Sequence, residues 1–220
     1  MTRMDVISKL SKLPFYGWLH SLVQRYKIRG WEARGRPNPP PHLVKQRILR
    51  KLATDHDSEV FIETGTHLGD MVNAMRGDFR KIYSIELSEK YHAAAVHRFR
   101  RYNHVSILLG DSGVVLPDLI NQVAAPTLFW LDGHHSGGNT ALGDEVTPIF
   151  KELDAIFKLR QPWVVAIDDA RLFGADSGYP SMEKLIAYVE NKLANGRVRV
   201  DSDVIVIEGA GLSARSFPEA

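Results

Sequence analysis

From residue 59 onward, short apolar and β-branched runs alternate with stretches whose apolar residues recur every three or four positions. The runs are VFIET (60–64), KIYSIEL (81–87), VSILLGD (105–111), TLFWLD (127–132), WVVAIDD (163–169) and VRVDSDVIVIE (198–208). Helical patterns lie between the first five, at 69–77, 88–102, 112–122 and 143–159, and another at 181–194 precedes the last. This alternation predicts parallel strands joined by helical crossovers. The strands are apolar nearly throughout, as expected when helices cover both faces of the sheet. The predicted fold class is therefore α/β, a doubly wound, mostly parallel sheet. The last run, with Gly196 before it and Gly209 after it, predicts a terminal hairpin.

Before residue 59 the texture is helical. Val6, Ile7, Leu10 and Leu13, then Trp18, Leu19, Leu22, Val23 and Tyr26, follow helical spacing, and Pro14 divides the run into two short helices. RGRPNPPP (34–41) predicts an extended, semi-rigid connector. His42 to Ala53 predicts a helix that buries Leu43, Ile48, Leu49 and Leu52. The organisation expected is a basic helical extension over 1–53, including the connector, followed by an α/β domain over 54–220.

Composition narrows the function. The chain has 220 residues, 44% hydrophobic and 25% charged, which is ordinary for a folded domain. It has no cysteine, so a disulfide scaffold, a thiolate metal site and a cysteine nucleophile are excluded. No apolar run reaches the roughly 18 residues of a membrane span. Leu13–Val23 comes nearest and is interrupted by Trp18 and His20. With no secretory signal expected either, a cytoplasmic location follows. The net charge of +2 hides an asymmetry: residues 1–51 carry twelve Lys/Arg against two acids, and the rest carries sixteen against twenty-four. Two readings of the basic arm stay open. One is a solvated helix that docks on the acidic body, and the other is a surface for a polyanion or an anionic membrane, with Phe15, Tyr16 and Trp18 at the interface.

In an open parallel sheet, ligands bind at the carboxyl ends of the strands. The first five runs all end in acids: Glu63, Glu86, Asp111, Asp132 and Asp168-Asp169. One such acid suits a turn or a helix cap. A series of five points to positively charged ligands. The first loop, Glu63-Thr64-Gly65-Thr66-His67-Leu68-Gly69-Asp70, has glycines that allow a sharp turn and close approach of a ligand. It lacks the dinucleotide fingerprint, because His67 stands where a second glycine is needed. Glu63 would also repel a pyrophosphate, whereas it would attract a cation. Glu86 is placed to accept from ribose hydroxyls. Asp111, with Ser112 beside it, is placed to meet an exocyclic amine. Together these suit a cationic nucleoside such as S-adenosylmethionine (SAM), with Glu63, Thr64, Gly65, Thr66, Gly69, Glu86, Asp111 and Ser112 as its binding residues.

FIETGTHLGD, IYSIELS, VSILLGDS, LFWLDGHH and VVAIDDA resemble the successive strand-end motifs of class I SAM-dependent methyltransferases, over about residues 59–209. The resemblance implies a Rossmann-like fold and methyl transfer from SAM. His67 departs from the glycine that many members carry.

Asp132, Asp168 and Asp169 end neighbouring strands, and three carboxylates so close repel unless something positive lies between them. A hard, oxygen-ligated divalent cation, with Mg2+ the first choice, meets that need, and it would activate and orient an acceptor hydroxyl. His135, three positions after Asp132, is the expected base, with His134 as competitor. This half resembles the metal-dependent macrocin and mycinamicin sugar O-methyltransferases. That likeness implies Asp132, Asp168 and Asp169 as metal ligands and Asp132 and His135 as catalytic residues. Catechol-type relatives place a lysine at the base offset, so His135 favours the sugar-modifying branch.

Other segments carry less. Gly137-Gly138-Asn139 and 172–181 predict loops over the substrate, and Trp130 and Trp163 predict core. The remaining histidines show no ligand spacing. The expectation is a SAM- and Mg2+-dependent O-methyltransferase acting on a sugar, glycan or natural-product hydroxyl. Homo-oligomerisation and weak membrane-surface contact by the N-terminal segment are its other expected associations. The alternatives are an RNA methyltransferase or methyltransferase of another small molecule, and a non-catalytic binding or membrane-peripheral protein on the same fold. For RNA, the basic arm speaks in favour. PNPPP, ahead of the first strand, is misplaced for an adenine-methylation tetrapeptide.

Overall fold

The computed structural model describes residues 26–133, 148–175 and 178–209. Residues 26–33 are helical, and the proline-rich connector follows. It is extended, contains a cis Asn38–Pro39 bond, and is tied back where the Trp31 indole donates to the Pro37 carbonyl at 2.7 Å. The elements then run α1 (His42–Asp55), β1 (Val60–Thr64), α2 (Asp70–Met75), β2 (Lys81–Glu86), α3 (Glu89–Phe99), β3 (Val105–Leu109) and α4 (Ser112–Ile120). They continue with β4 (Thr127–Leu131), α5 (Ile149–Ile156), β5 (Trp163–Ile167), α6 (Met182–Lys192), β6 (Arg197–Asp201) and β7 (Val204–Glu208). Every strand run read from the sequence appears within two residues of its expected end. The last splits into a hairpin at Ser202-Asp203, both in the left-handed region.

The sheet order is β3-β2-β1-β4-β5-β7-β6. The first five strands pair in parallel, and β7 runs antiparallel to both β5 and β6. The chain therefore winds outward from β1 to β3, then returns to start the other half at β4. Between β1 and β4 the helices switch faces, which opens a crevice at the carboxyl ends of these two strands.

Alternation along each strand builds two cores. Ile62, Phe129, Leu131, Val165, Ile167, Ile205 and Ile207 face α4, α5 and α6. Phe61, Ile82, Leu128, Trp130, Val164, Ala166 and Val206 face α1, α2 and α3. Trp130 and Trp163 are buried, as expected.

The sequence groups α1 with the N-terminal extension, but its packing belongs to the sheet. Leu49 and Leu52, one turn apart, are buried in the second core. Because α1 leads into the amino end of β1, its first turn lies at the opposite, carboxyl end of the sheet. A residue in that turn, on the Leu49–Leu52 stripe, must point at the crevice. Leu49→Ala should lower stability by about 2–5 kcal/mol, as for other fully buried leucines, in urea titration of the full chain. A change near zero would mean that α1 is a detachable appendage.

Candidate functional site

Strand register places the site. Thr64 pairs with Leu131, and Leu131 pairs with Ile167. The next position on each strand therefore forms one row: Gly65, Asp132 and Asp168. The ladder extends into that row through Asp132 N–H to the Thr64 carbonyl and Asp168 N–H to the Leu131 carbonyl, each at 3.0 Å. On the other side Gly65 N–H donates to Ile85 at 2.9 Å, which brings in Glu86. Four of the expected residues are thus neighbours by backbone geometry alone.

The two loops at the crevice meet at Gly65. Its φ is +88°, and a Cβ there would lie 2.6 Å from the Asp132 carbonyl oxygen and 2.8 Å from the Gly133 Cα. Only glycine fits. His67 also has positive φ, +46°, which accounts for the preference for glycine at this point of such loops. The loop is pinned by Glu86, whose carboxylate accepts from the backbone N–H of His67 at 2.6 Å and of Ser88 at 2.8 Å. The His67 ring packs edge-on against Tyr91, with centroids 4.7 Å apart.

Glu63 is buried and accepts from the Ser84 hydroxyl, which is 2.6 Å from that of Thr66. Burial pushes its carboxyl well above the usual range, against the pull of Ser84. Its part is to set the loop's geometry and polarity from beneath. Asp111 caps α4 by accepting from Gly113 N–H at 2.8 Å, with Ser112 as the first helical residue.

Two buried polar groups near the crevice lack a partner of good geometry: the Thr64 hydroxyl and both oxygens of Glu152 on α5. Glu152 is fully buried, with Ser112, Thr64 and Asp111 as its polar surroundings. Burial pushes its carboxyl up to about 7. Thr64 and Glu152 thus form a buried polar floor, and the turn above it, with Gly65 at the crossing, Glu86 and the exposed His67, is what fits SAM.

The acid rim is organised by a residue that the strand ends do not contain. Lys45, in the first turn of α1, places its ammonium 2.5 Å from one Asp168 oxygen, 2.6 Å from the other and 3.4 Å from Asp169. Burial pulls the Lys45 ammonium down, but Asp168, Asp169 and Asp132 outweigh it and raise it above its ordinary value. Asp169, itself in the left-handed region, donates its backbone N–H to Asp168 at 2.7 Å. Its carboxylate also takes Arg171 at 2.8 Å, and Arg171 reaches on to the buried Asp203 at the β6–β7 turn. Partial burial opposes ionisation of Asp169, yet Lys45 and Arg171 prevail and hold it below the usual carboxylate range.

Asp132 keeps contact with solvent but stands in a crowded cleft. Dehydration and the facing Asp168 charge push its carboxyl upward, and burial pushes Asp168 upward too. Tyr179 adds a phenol near the rim, pushed up to about 12 by burial and by Asp169, Asp132 and Asp168.

The structure thus brings together Asp132, Asp168 and Asp169 as expected, with Lys45 between them where the sequence suggested Mg2+. Among the described residues, no three His, Asp or Glu side chains are arranged to hold a metal ion. The donor set as it stands does not fit a resident divalent cation. His134, His135 and Gly137-Gly138-Asn139 lie outside the described residues, as do 1–25 with Phe15, Tyr16 and Trp18.

Lys45, Arg171, Glu152 and Tyr179 do not end strands, so strand ends do not reveal them. Two of them left a signal. Lys45 lies four residues before Leu49 and seven before Leu52, on the buried stripe, and Glu152 lies between Ile149 and Ile156 on another. A charge inside an apolar stripe marks a buried ion.

No protein-family model matches the chain, and no curated protein matches it. Solved structures do. The O-methyltransferase TomG from Streptomyces achromogenes, involved in tomaymycin synthesis and solved with SAM, is 18% identical, with 85% of this chain and 89% of that chain covered, at a TM-score of 0.54. An O-methyltransferase from Bacillus cereus, solved with SAH, is 16% identical, with 83% and 88% covered, at 0.53. The Podospora anserina methyltransferase PaMTH1, also SAH-bound, is 17% identical, with 90% and 97% covered, at 0.53. At such identities the likeness is one of fold. The chain has the class I methyltransferase fold, including the antiparallel β7 between β5 and β6. Among the described residues, no helix is long and apolar enough to cross a membrane.

The Glu152 carboxyl gives a pH signature. Its proton is held more tightly in the folded state than in the unfolded chain, so stability falls as pH rises from about 4.5 to about 7 and stays lowered above that. The penalty is about 3 kcal/mol. Glu152→Gln should match the parent near pH 5 and exceed it in thermal stability near pH 8. Equal differences at both pH values would contradict a buried, protonated Glu152.

Proposed function

We propose that the chain is a SAM-dependent O-methyltransferase that methylates a hydroxyl of a sugar, glycan or natural-product acceptor. The single observation that supports it most is the Gly65–Asp132 crossing at the sheet's switch point, flanked by Glu86 on one side and the acid rim on the other. The O-methyltransferase descriptions of the neighbouring folds agree with it.

SAM supplies an electrophilic methyl group on a sulfonium. The protein's work is to hold that group in line with the acceptor oxygen and to remove the hydroxyl proton. The Gly65–Gly69 loop and Glu86 bind on the nucleoside side, with Asp111 and Ser112 beside them and the buried Thr64 and Glu152 beneath. Asp132 faces the acceptor side and hydrogen-bonds the hydroxyl. His135, three residues on, takes the proton as the C–S bond breaks and the O–C bond forms. His135 is preferred for this step because its ordinary pKa lies near neutrality. No step is assigned to Mg2+, because Asp168 and Asp169 are engaged by Lys45.

Calorimetric titration should show saturable SAM binding. Gly65→Ala should abolish it, since the new methyl group would collide with the Asp132 backbone. Methyl transfer should appear on at least one member of a panel of sugars and glycosides. His135→Ala should lower turnover about a hundredfold or more while SAM affinity is kept. Absence of SAM binding by the parent chain would defeat the proposal, and an unimpaired His135→Ala enzyme would remove the base assignment.

A further inference from the structure

The rim carboxylates need a positive charge among them, and the fold already delivers one. The geometry points to a lysine-closed rim: Lys45 of α1 is the resident cation of the Asp132–Asp168–Asp169 cluster, and it takes the place of a divalent metal.

Three observations carry this. First, the Lys45 ammonium lies 2.5 and 2.6 Å from the two oxygens of Asp168, so it occupies the direction a metal would need for either. Second, the remaining acceptor capacity is largely spoken for. Asp168 also accepts the backbone N–H of Asp169, and Asp169 also accepts Arg171 at 2.8 Å. A magnesium ion requires near-octahedral oxygen ligands at roughly 2.0–2.1 Å, and an ammonium cannot share that shell. Third, Lys45 is not a surface side chain that can swing away. It is 9% exposed and sits on a helix anchored by Leu49 and Leu52, which are 0% and 2% exposed. Its withdrawal would leave Asp168 buried without a counter-charge.

Lys45 is therefore a positioning residue. It fixes Asp168 and Asp169, and it leaves the solvent-facing Asp132 for the acceptor. It also makes α1 part of the site, so the segment before β1 contributes charge as well as packing. The inference deepens the reading of this rim as the reacting side, but its principal readout, metal affinity, does not depend on turnover.

The test is Mn2+ binding, followed by electron paramagnetic resonance on the full chain, with thermal denaturation in parallel. The parent and Lys45→Arg should show no saturable binding up to about 1 mM Mn2+, a weak-binding limit. Lys45→Met should bind Mn2+ about tenfold or more tightly than the parent, because a repelling charge a few ångströms away is gone. Its thermal midpoint should rise with Mn2+, whereas that of the parent should not. Adding Asp168→Asn to Lys45→Met should remove the gain. Saturable Mn2+ binding by the parent that Asp168→Asn abolishes would overturn the inference, and so would a Lys45→Met protein that gains no affinity. If Lys45→Met does not fold, the parent decides alone: no saturable binding supports the inference, and Asp168-dependent binding overturns it. Methyl transfer in excess chelator should equal that without it. A chain with no methyl transfer under any condition would defeat the proposed function while leaving the metal result standing.

Discussion

Two carboxylates forced side by side govern this molecule. Asp132 and Asp168 extend adjacent parallel strands whose register is fixed by Leu131 against Ile167. Neighbouring strands lie about 4.8 Å apart, so the fold itself holds the acids close. Two like charges about 5 Å apart repel by about 3 kcal/mol at an effective dielectric constant near 20, so neighbouring carboxylates are costly wherever water is scarce. Asp169 follows immediately and adds to the repulsion. The sheet cannot relieve this by moving, because both strands are packed on both faces. Relief must come from a proton, a cation or both. Lys45 and Arg171 supply positive charge, and the upward push on Asp132 supplies the tendency to keep a proton.

That requirement reaches well beyond the rim. Lys45 arrives from a helix more than one hundred residues away in the chain, which ties the start of the domain to its fifth strand. Arg171 spans Asp169 and Asp203, which ties the same strand end to the β6–β7 turn. Both carboxylates of the second tie belong to left-handed residues, an unusual conformation for aspartate that the ion pairs help to hold. The local charge balance is thus also a set of long-range tertiary links. On the opposite side of the crevice the constraint is steric, because the backbones of the first and fourth loops cross so closely that no side chain fits at Gly65.

The strand pattern was legible because each run is short, β-branched and bounded by polar residues, and because parallel strands buried on both faces carry no competing period. The helices followed from 3.6-residue spacing, with ends a few residues short of expectation where terminal turns give way to loops. The strand-end acids were legible too, since topology alone puts strand ends at the ligand crevice. Asp111 caps α4 and stays exposed at the strand end, and Glu63 lies beneath the loop, paired with Ser84. Lys45 lies on a helix and not at a strand end, and within the basic N-terminal segment it is one of twelve Lys/Arg. Its position among leucines, and that of Glu152 among isoleucines, distinguishes them from their neighbours. A repulsion deduced from sequence is sound, but the sequence does not say whether a metal or a lysine answers it.

Among the described residues, the hairpin that closes the sheet leaves β6 with one side unpaired. Its outward backbone groups are a template on which another chain's strand could align, and Val200 stands 53% exposed beside them. Arg197 and Arg199 lie on the same strand and are exposed, with Asp201 at its end. A second copy brought alongside would have to strip water from these charged side chains, whatever the register. Lost hydration of charged side chains on an edge strand opposes sheet-to-sheet aggregation, and it does so at no expense to the core.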